Sequence, residues 1–180
     1  MNGCLPLTWH AFKTTLPGAW MRTDVMDLMV QHLKPYLPDS VLMLNSAFGN
    51  AIVREAAPQL SRWRLLRERR TQPSPPLRCV CWPYLRNSHW VAVFVDLGAP
   101  GDKECFHVYD SLSVKKRRTE GKKMCPTPLT QEFSLIFAAF GQLLEHDRQV
   151  YGNASIWGCT NPLGAWEARM MDAGEEPGCK

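Results

Sequence analysis

The stretch at residues 88–110, SHWVAVFVDLGAPGDKECFHVYD, decides the fold of this chain. Residues 90–96 (WVAVFVD) are a run of apolar and β-branched side chains, which is typical of a buried β-strand. Residues 105–110 (CFHVYD) form a second run of this kind, and the glycines and proline of residues 98–101 (GAPG) favour a turn between the two. The stretch therefore predicts two neighbouring antiparallel strands joined by a short connection.

Two side chains suited to acid–base chemistry lie at the outer ends of this predicted hairpin. His89 begins the first strand and Asp110 ends the second. Because the start of one strand meets the end of the next in an antiparallel pair, we expect the imidazole and the carboxylate to touch. A carboxylate on one imidazole nitrogen fixes the tautomer and leaves the other nitrogen free to take a proton. The pattern therefore predicts a general base and its orienting partner.

The rest of the chain is predicted to be mainly helical. Apolar spacing and proline positions favour helices at residues 24–37, 51–70 (broken near Pro58), 129–146 and 161–171, a strand at 78–83, a short strand or turn at 41–44 and a loop at 149–158. Helices before and after two or three strands indicate an α+β domain, with a small mixed or antiparallel sheet flanked by helices. We expect one domain over residues 1–180, with irregular tails at about 1–17 and 173–180.

Composition excludes several protein classes. The 180 residues are 45% hydrophobic and 21% charged, an ordinary globular balance rather than a disordered one. The longest apolar runs, residues 91–95 and 134–140, fall well short of the roughly 20 residues that a membrane span needs. The N-terminal residues lack a charged segment followed by an apolar one, so we expect a protein that is neither secreted nor membrane-bound.

The chain contains seven cysteines, and their spacing does not favour a zinc site. No CxxC pair occurs, and Cys79 and Cys81 have a single residue between them. We therefore expect no structural metal, free thiols, and a reducing intracellular location in the cytoplasm or nucleus. One thiol could be a nucleophile. Cys159 comes just before the predicted helix at 161–171, and a helix N-terminus lowers the pKa of a nearby thiol.

Positive charge is concentrated in two clusters. The net charge is +4, and twelve of the 21 Lys and Arg residues fall at residues 54–70 and 115–123. A solvated helix face and a basic loop account for such clusters most simply. Nucleic acid or an acidic protein is the weaker alternative as a partner.

Four short motifs, in order along the chain, carry a family resemblance. They are residues 20–24 (WMRTD), 88–92 (SHWVA), 108–112 (VYDSL) and 153–159 (NASIWGC), with a further similar segment at 45–48 (NSAF). Together they resemble the Ulp/SENP family of cysteine proteases, which process ubiquitin-like modifiers of the SUMO type. The resemblance extends over about residues 18–172. It implies a papain-like cysteine protease fold of the Ulp/adenain type.

The resemblance also implies a catalytic triad. It assigns Cys159 as the nucleophile, His89 as the general base and then acid, and Asp110 as the residue that orients His89. It further implies that Trp20 and Trp90 line a narrow tunnel for a Gly-Gly tail.

The oxyanion donor departs from the family pattern. The family has Gln six residues before the nucleophile, where this chain has Asn153, and Gln149 is the alternative donor. Thr160 stands where the family has Gly after the nucleophile. The resemblance implies no metal or organic cofactor.

The function that the sequence favours is cleavage after the Gly-Gly tail of a SUMO-type modifier, by a monomeric thiol isopeptidase. Three alternatives stay open. They are a viral-type protease of short polyprotein sites, an effector-type acetyltransferase that uses the same His–acid–Cys site, and an inactive protease fold that acts as a binding module.

Overall fold

The computed structural model describes residues 21–71, 74–98, 102–110, 128–152, 155–157 and 163–171. Its centre is a five-stranded mixed sheet in the order β1-β2-β3-β4-β5. The strands are β1 (Val41–Met43), β2 (Cys79–Arg86), β3 (His89–Asp96), β4 (Cys105–Tyr109) and β5 (Glu167–Met171). The inner pairs β2–β3 and β3–β4 are antiparallel, whereas the outer pairs β1–β2 and β4–β5 are parallel.

The helices precede β2 and follow β4. They are α1 (Thr23–Leu33), α2 (Ser46–Ala51), α3 (Ala57–Ser61), α4 (Arg64–Thr71) and α5 (Gln131–Tyr151), with short 3₁₀ turns at Lys34–Tyr36 and Leu163–Ala165. The α2 start is fixed by a side-chain cap, because the Asn45 carboxamide oxygen accepts a hydrogen bond from the Phe48 N–H at 3.2 Å.

One face of the sheet carries the core. Side chains alternate along a strand, so Val80, Trp82 and Tyr84 of β2 share a face with the buried valines of β3. The helix α5 covers this face, and the rings of Trp82 and Phe140 stack with their centroids 5.7 Å apart. We call it the core face.

Helix α5 connects β4 to β5 and runs along the length of the sheet. Its first turn contacts Tyr84 and Arg86 through Glu132, and its last turns contact Arg70 through Asp147. Its 21 residues span about 31 Å. The crossover makes β5 parallel to β4, so both strands end at the same end of the sheet.

The two ends of the sheet bring together different strand termini. We call one the histidine end, where β2 ends at Arg86, β3 begins at His89 and β4 is followed by Asp110. The opposite end is the one where β2 begins at Cys79 and β3 ends at Asp96. A strand as long as β2 separates the two ends by roughly 23 Å.

The predicted α+β architecture is confirmed, but three local predictions are wrong. Residues 161–171 do not form a helix, because Leu163–Ala165 is a 3₁₀ turn and Glu167–Met171 pairs with β4 as a strand. The helix predicted at 129–146 continues to Tyr151, so Gln149 is helical. The helix predicted at 51–70 with a break near Pro58 is instead the two short helices α3 and α4, and Pro58 lies in the first turn of α3. The predicted tails, 1–17 and 173–180, lie outside the described residues.

Within the described part of the chain, no helix combines the length and the apolar composition that a membrane span requires.

Candidate active site

His89 and Asp110 meet at the histidine end of the sheet. The His89 Nε2 and Asp110 Oδ1 atoms are 2.9 Å apart, and the side chains are 20% and 12% exposed. By strand alternation, both residues project from the core face just beyond the last core side chains of β3 and β4. The contact occupies Nε2, so Nδ1 is the imidazole nitrogen left for a proton transfer to a reacting group.

A two-residue turn fixes the position of His89. Asn87 and Ser88 join β2 to β3, with φ angles of 45° and 62°, and Arg86 pairs directly with His89. Positive φ at both central residues is characteristic of the type I′ turn, whose twist matches that of the flanking strands. The turn therefore sets the register that places the imidazole at the end of the hairpin.

Glu132, in the first turn of α5, braces the hairpin that carries His89. Its carboxylate forms an ion pair with Arg86 at 2.8 Å and accepts a hydrogen bond from the Tyr84 hydroxyl at 2.8 Å. Burial, followed by this hydrogen bond, raises the pKa of Tyr84 to about 12. Sequence reasoning did not single out Glu132, because its partners are 46 and 48 residues away along the chain.

Trp90 lies beside His89 but, by alternation, on the other face of the sheet. Its indole N–H donates a hydrogen bond to the Met21 carbonyl oxygen at 2.8 Å, and its cross-strand neighbour is Leu85. An open cavity of about 500 Å³ adjoins this contact, lined by residues 21–24, Asp27 and Leu85. Trp20, the predicted second wall of the tunnel, lies outside the described residues.

Cys159 and Asn153 also lie outside the described residues, but their described neighbours are at the opposite end of the sheet. Trp157 pairs with Leu77, just before β2 begins, and Glu167 pairs with Cys105 at the start of β4. The helix whose N-terminus was expected to lower the pKa of the Cys159 thiol is absent, since a 3₁₀ turn and β5 occupy residues 163–171.

The structure does not bring Gln149 to the His89–Asp110 pair. Gln149 is exposed in the last turn of α5, and its amide donates a hydrogen bond to Glu145 at 2.9 Å. It stands about 25 Å along the helix axis from Glu132. Its predicted place in a loop next to the nucleophile is wrong.

The cysteines differ in their chemical state. Cys105 forms a disulfide, so the expectation that all thiols are free is wrong. Cys79 and Cys81 are free.

Much of the described basic cluster is paired within the chain. Arg64 forms an ion pair with Glu68, and the Arg70 guanidinium contacts Asp147 in the interior. Arg69 donates hydrogen bonds to two backbone carbonyl oxygens. Among the described residues, no group of three or more His, Cys, Asp and Glu side chains is arranged to hold a metal ion.

Two solved structures share the fold of this chain. One is the C-terminal Ulp1 protease domain in complex with Smt3, the yeast ortholog of SUMO, with a TM-score of 0.61 and 15% identity over 94% of this chain. The other is a de-sumoylating protease, with a TM-score of 0.55 and 10% identity over 96% of this chain. This chain covers 63% and 61% of those two chains.

The fold is thus that of Ulp-like protease domains. No family model matches the sequence, and no curated protein matches it.

Proposed function

We propose that this chain is a thiol peptidase that cleaves after the Gly-Gly tail of a SUMO-type modifier. The observation that carries the proposal is the His89–Asp110 contact at the end of the β3–β4 hairpin, in a fold shared with SUMO-protease domains. A carboxylate that holds one imidazole nitrogen is the arrangement used to activate a neighbouring nucleophile. The neighbouring structure with Smt3 supports a SUMO-type partner.

In the proposed reaction, His89 Nδ1 takes the proton of a cysteine thiol, and the thiolate attacks the carbonyl carbon of the terminal glycine. The backbone N–H of the nucleophilic cysteine and a side-chain amide stabilise the oxyanion. His89 then protonates the leaving lysine amine, which leaves a thioester. Water, deprotonated by His89, hydrolyses the thioester and regenerates the thiol. Asp110 holds the imidazole and stabilises its charged form.

The sheet topology and the sequence resemblance favour different cysteines as the nucleophile. The resemblance favours Cys159, whose described neighbour Trp157 lies at the opposite end of the sheet. Two residues of chain reach at most about 7 Å, which is short against the roughly 23 Å length of β2. Asn153 follows Gly152 at the end of α5 in the sequence and precedes Ser155, whose hydroxyl donates a hydrogen bond to Asp147.

Two other cysteines are close in sequence to described residues at the histidine end. Cys125 comes six residues before α5 begins, and Glu132 in its first turn contacts Arg86. Cys179 comes eight residues after Met171, where β5 ends beside Tyr109. We therefore propose that the thiol served by His89 is Cys125 or Cys179.

Mapping the reactive thiol tests both the proposed peptidase activity and the proposed identity of the nucleophile. The chain would be treated with a mild reductant and then with SUMO, ubiquitin and NEDD8, each carrying a C-terminal electrophile. Peptide mass mapping identifies the modified cysteine. The variants are Cys125→Ala, Cys159→Ala, Cys179→Ala and His89→Ala, with His146→Ala as a matched control on α5.

We expect an adduct with SUMO on Cys125 or Cys179 that is lost in His89→Ala and kept in His146→Ala. An adduct on Cys159 would overturn the assignment from topology and retain the thiol peptidase. No His89-dependent adduct in folded protein would overturn the peptidase. SUMO binding without any adduct would then indicate a binding module, and labelling by acetyl-CoA instead would indicate an acetyltransferase.

Trp90 and Trp20 are proposed to guide the substrate tail. The open cavity near Trp90 and Leu85 supports this role, since a glycine tail is slim enough to lie against an indole. We further propose a monomer that acts in the cytoplasm or nucleus, where SUMO-type conjugates occur. A weaker proposal is that the exposed basic residues of α4 bind nucleic acid.

A further inference from the structure

Cys79 and Cys81 form a pair of thiols on the face of β2 that does not carry the core. Their neighbours Val80 and Trp82 are buried in the core face, so the two cysteines project together from the other face. Both are free and partly exposed. The proposed peptidase reaction uses neither thiol.

Strand geometry disfavours a disulfide between these two cysteines. Residues two apart on a strand are separated by about 6.6 Å, at the upper limit of the Cα–Cα distances found in disulfides. The pair is therefore predisposed to stay a dithiol, with two sulfur atoms directed to the same side.

A third sulfur stands next to the pair. Met43 of β1 is the direct cross-strand partner of Cys81, so its side chain projects from the same face. Met43 is also partly exposed. The register thus places two thiols and one thioether side by side.

We propose that Cys79, Cys81 and Met43 form a binding site for monovalent copper. Thiolate and thioether sulfur are the ligands that soft Cu⁺ selects. The described residues here offer no third His, Cys, Asp or Glu ligand of the kind that zinc sites use. Binding forms Cu–S bonds and releases the thiol protons to solvent, with no change in oxidation state, because the metal enters as Cu⁺.

Anaerobic competition for Cu⁺ tests the site. The full chain, without added thiol reductant, would be titrated with Cu⁺ against a chromogenic Cu⁺ chelator. We expect the wild type to bind one Cu⁺ per chain at this site. The Cys79→Ser, Cys81→Ser and double variants should each lose that Cu⁺. Cys4→Ser serves as a matched control, and circular dichroism checks that each variant is folded.

A gentler variant keeps the test valid if a serine variant does not fold. Met43→Leu should weaken Cu⁺ binding, while Met29→Leu on α1, a matched control, should not change it.

Equal Cu⁺ binding by the wild type and the double serine variant would overturn the site. Binding of Zn²⁺ at the pair as tight as that of Cu⁺ would overturn its assignment to soft copper.

Discussion

Each end of the sheet holds a contact between a carboxylate and a basic side chain, and the two contacts differ in their access to water. At the histidine end, the side chains of His89 and Asp110 are 20% and 12% exposed. At the opposite end, the side chains of Arg70 and Asp147 are 9% and 0% exposed. The more exposed pair includes an imidazole, which can accept or donate a proton in catalysis, whereas the buried pair includes a permanently charged guanidinium.

The buried pair is also the more heavily bonded. Arg70 donates a hydrogen bond to the Ser61 carbonyl oxygen at 2.7 Å, and its guanidinium lies 4.1 Å from the centroid of the Tyr151 ring. Asp147 accepts a further hydrogen bond from the Ser155 hydroxyl at 3.0 Å. This pair joins α3, α4 and α5, so its role is structural. A pair suited to catalysis is thus one whose basic side chain keeps a ring nitrogen for proton transfer and remains accessible to solvent.

The largest expected effect separates chemistry from stability at the histidine end. We expect His89→Ala to lower kcat/KM for a SUMO-type fusion on the order of 10⁴-fold, equivalent to about 5 kcal/mol. The free energy of unfolding should change little, because the side chain lies at the margin of the core. Steady-state cleavage and urea denaturation measure the two quantities, and a large loss of stability would contradict the comparison.

The next largest effect is at the opposite end of the sheet, where a substitution should lower stability and leave cleavage unchanged. Asp147→Ala leaves the Arg70 charge buried without its carboxylate, so the free energy of unfolding should fall by about 3–5 kcal/mol. Cleavage per folded molecule should be unchanged. Urea denaturation with activity assays on the folded fraction tests this, and Glu145→Ala, an exposed site on the same helix, is the control. Unaltered stability would show that the pair does not join the helices.

Asp110→Asn should have an intermediate effect. The substitution retains a hydrogen-bonding partner for His89 but removes the charge that stabilises the imidazolium, so kcat/KM should fall on the order of 10²-fold. Steady-state cleavage of the same fusion measures the change, and circular dichroism checks that the variant is folded. An unchanged kcat/KM would place Asp110 outside the catalytic machinery.

The smallest effect concerns Tyr84, which braces the hairpin through Glu132. Its pKa is raised from 10.0 to about 12, so the folded state retains a proton that the unfolded chain loses. This contribution to stability is complete below pH 10 and is lost between about pH 10 and 12. Ultraviolet titration of tyrosinate should show the shift, and Glu132→Gln should move it towards 10.0. The same titration of Tyr84→Phe identifies the signal.

The sequence predicts the His89–Asp110 contact, because that contact depends only on two strands that are consecutive in the chain. The strands that carry His89 and Asp110 are consecutive and antiparallel, so alternation alone predicts that the two side chains meet, as they do at 2.9 Å. The strand β5 was missed, because Ala168, Met170 and Met171 are good helix formers and their pairing with β4 comes after a crossover through α5. That pairing is the basis for proposing Cys125 or Cys179 as the nucleophile, whereas motif spacing alone points to Cys159.

The two-residue turn at Asn87 and Ser88 sets the register of the hairpin, and the proposed chemistry depends on that register. Side chains alternate with a period of two, so a single inserted residue that shifted β3 by one position would carry the imidazole to the face occupied by Trp90. Insertions at this turn therefore act in an all-or-none manner, unlike the graded effects of substitutions. Among variable relatives of this chain, the length of the turn would be a sharper marker of a working histidine than the histidine itself.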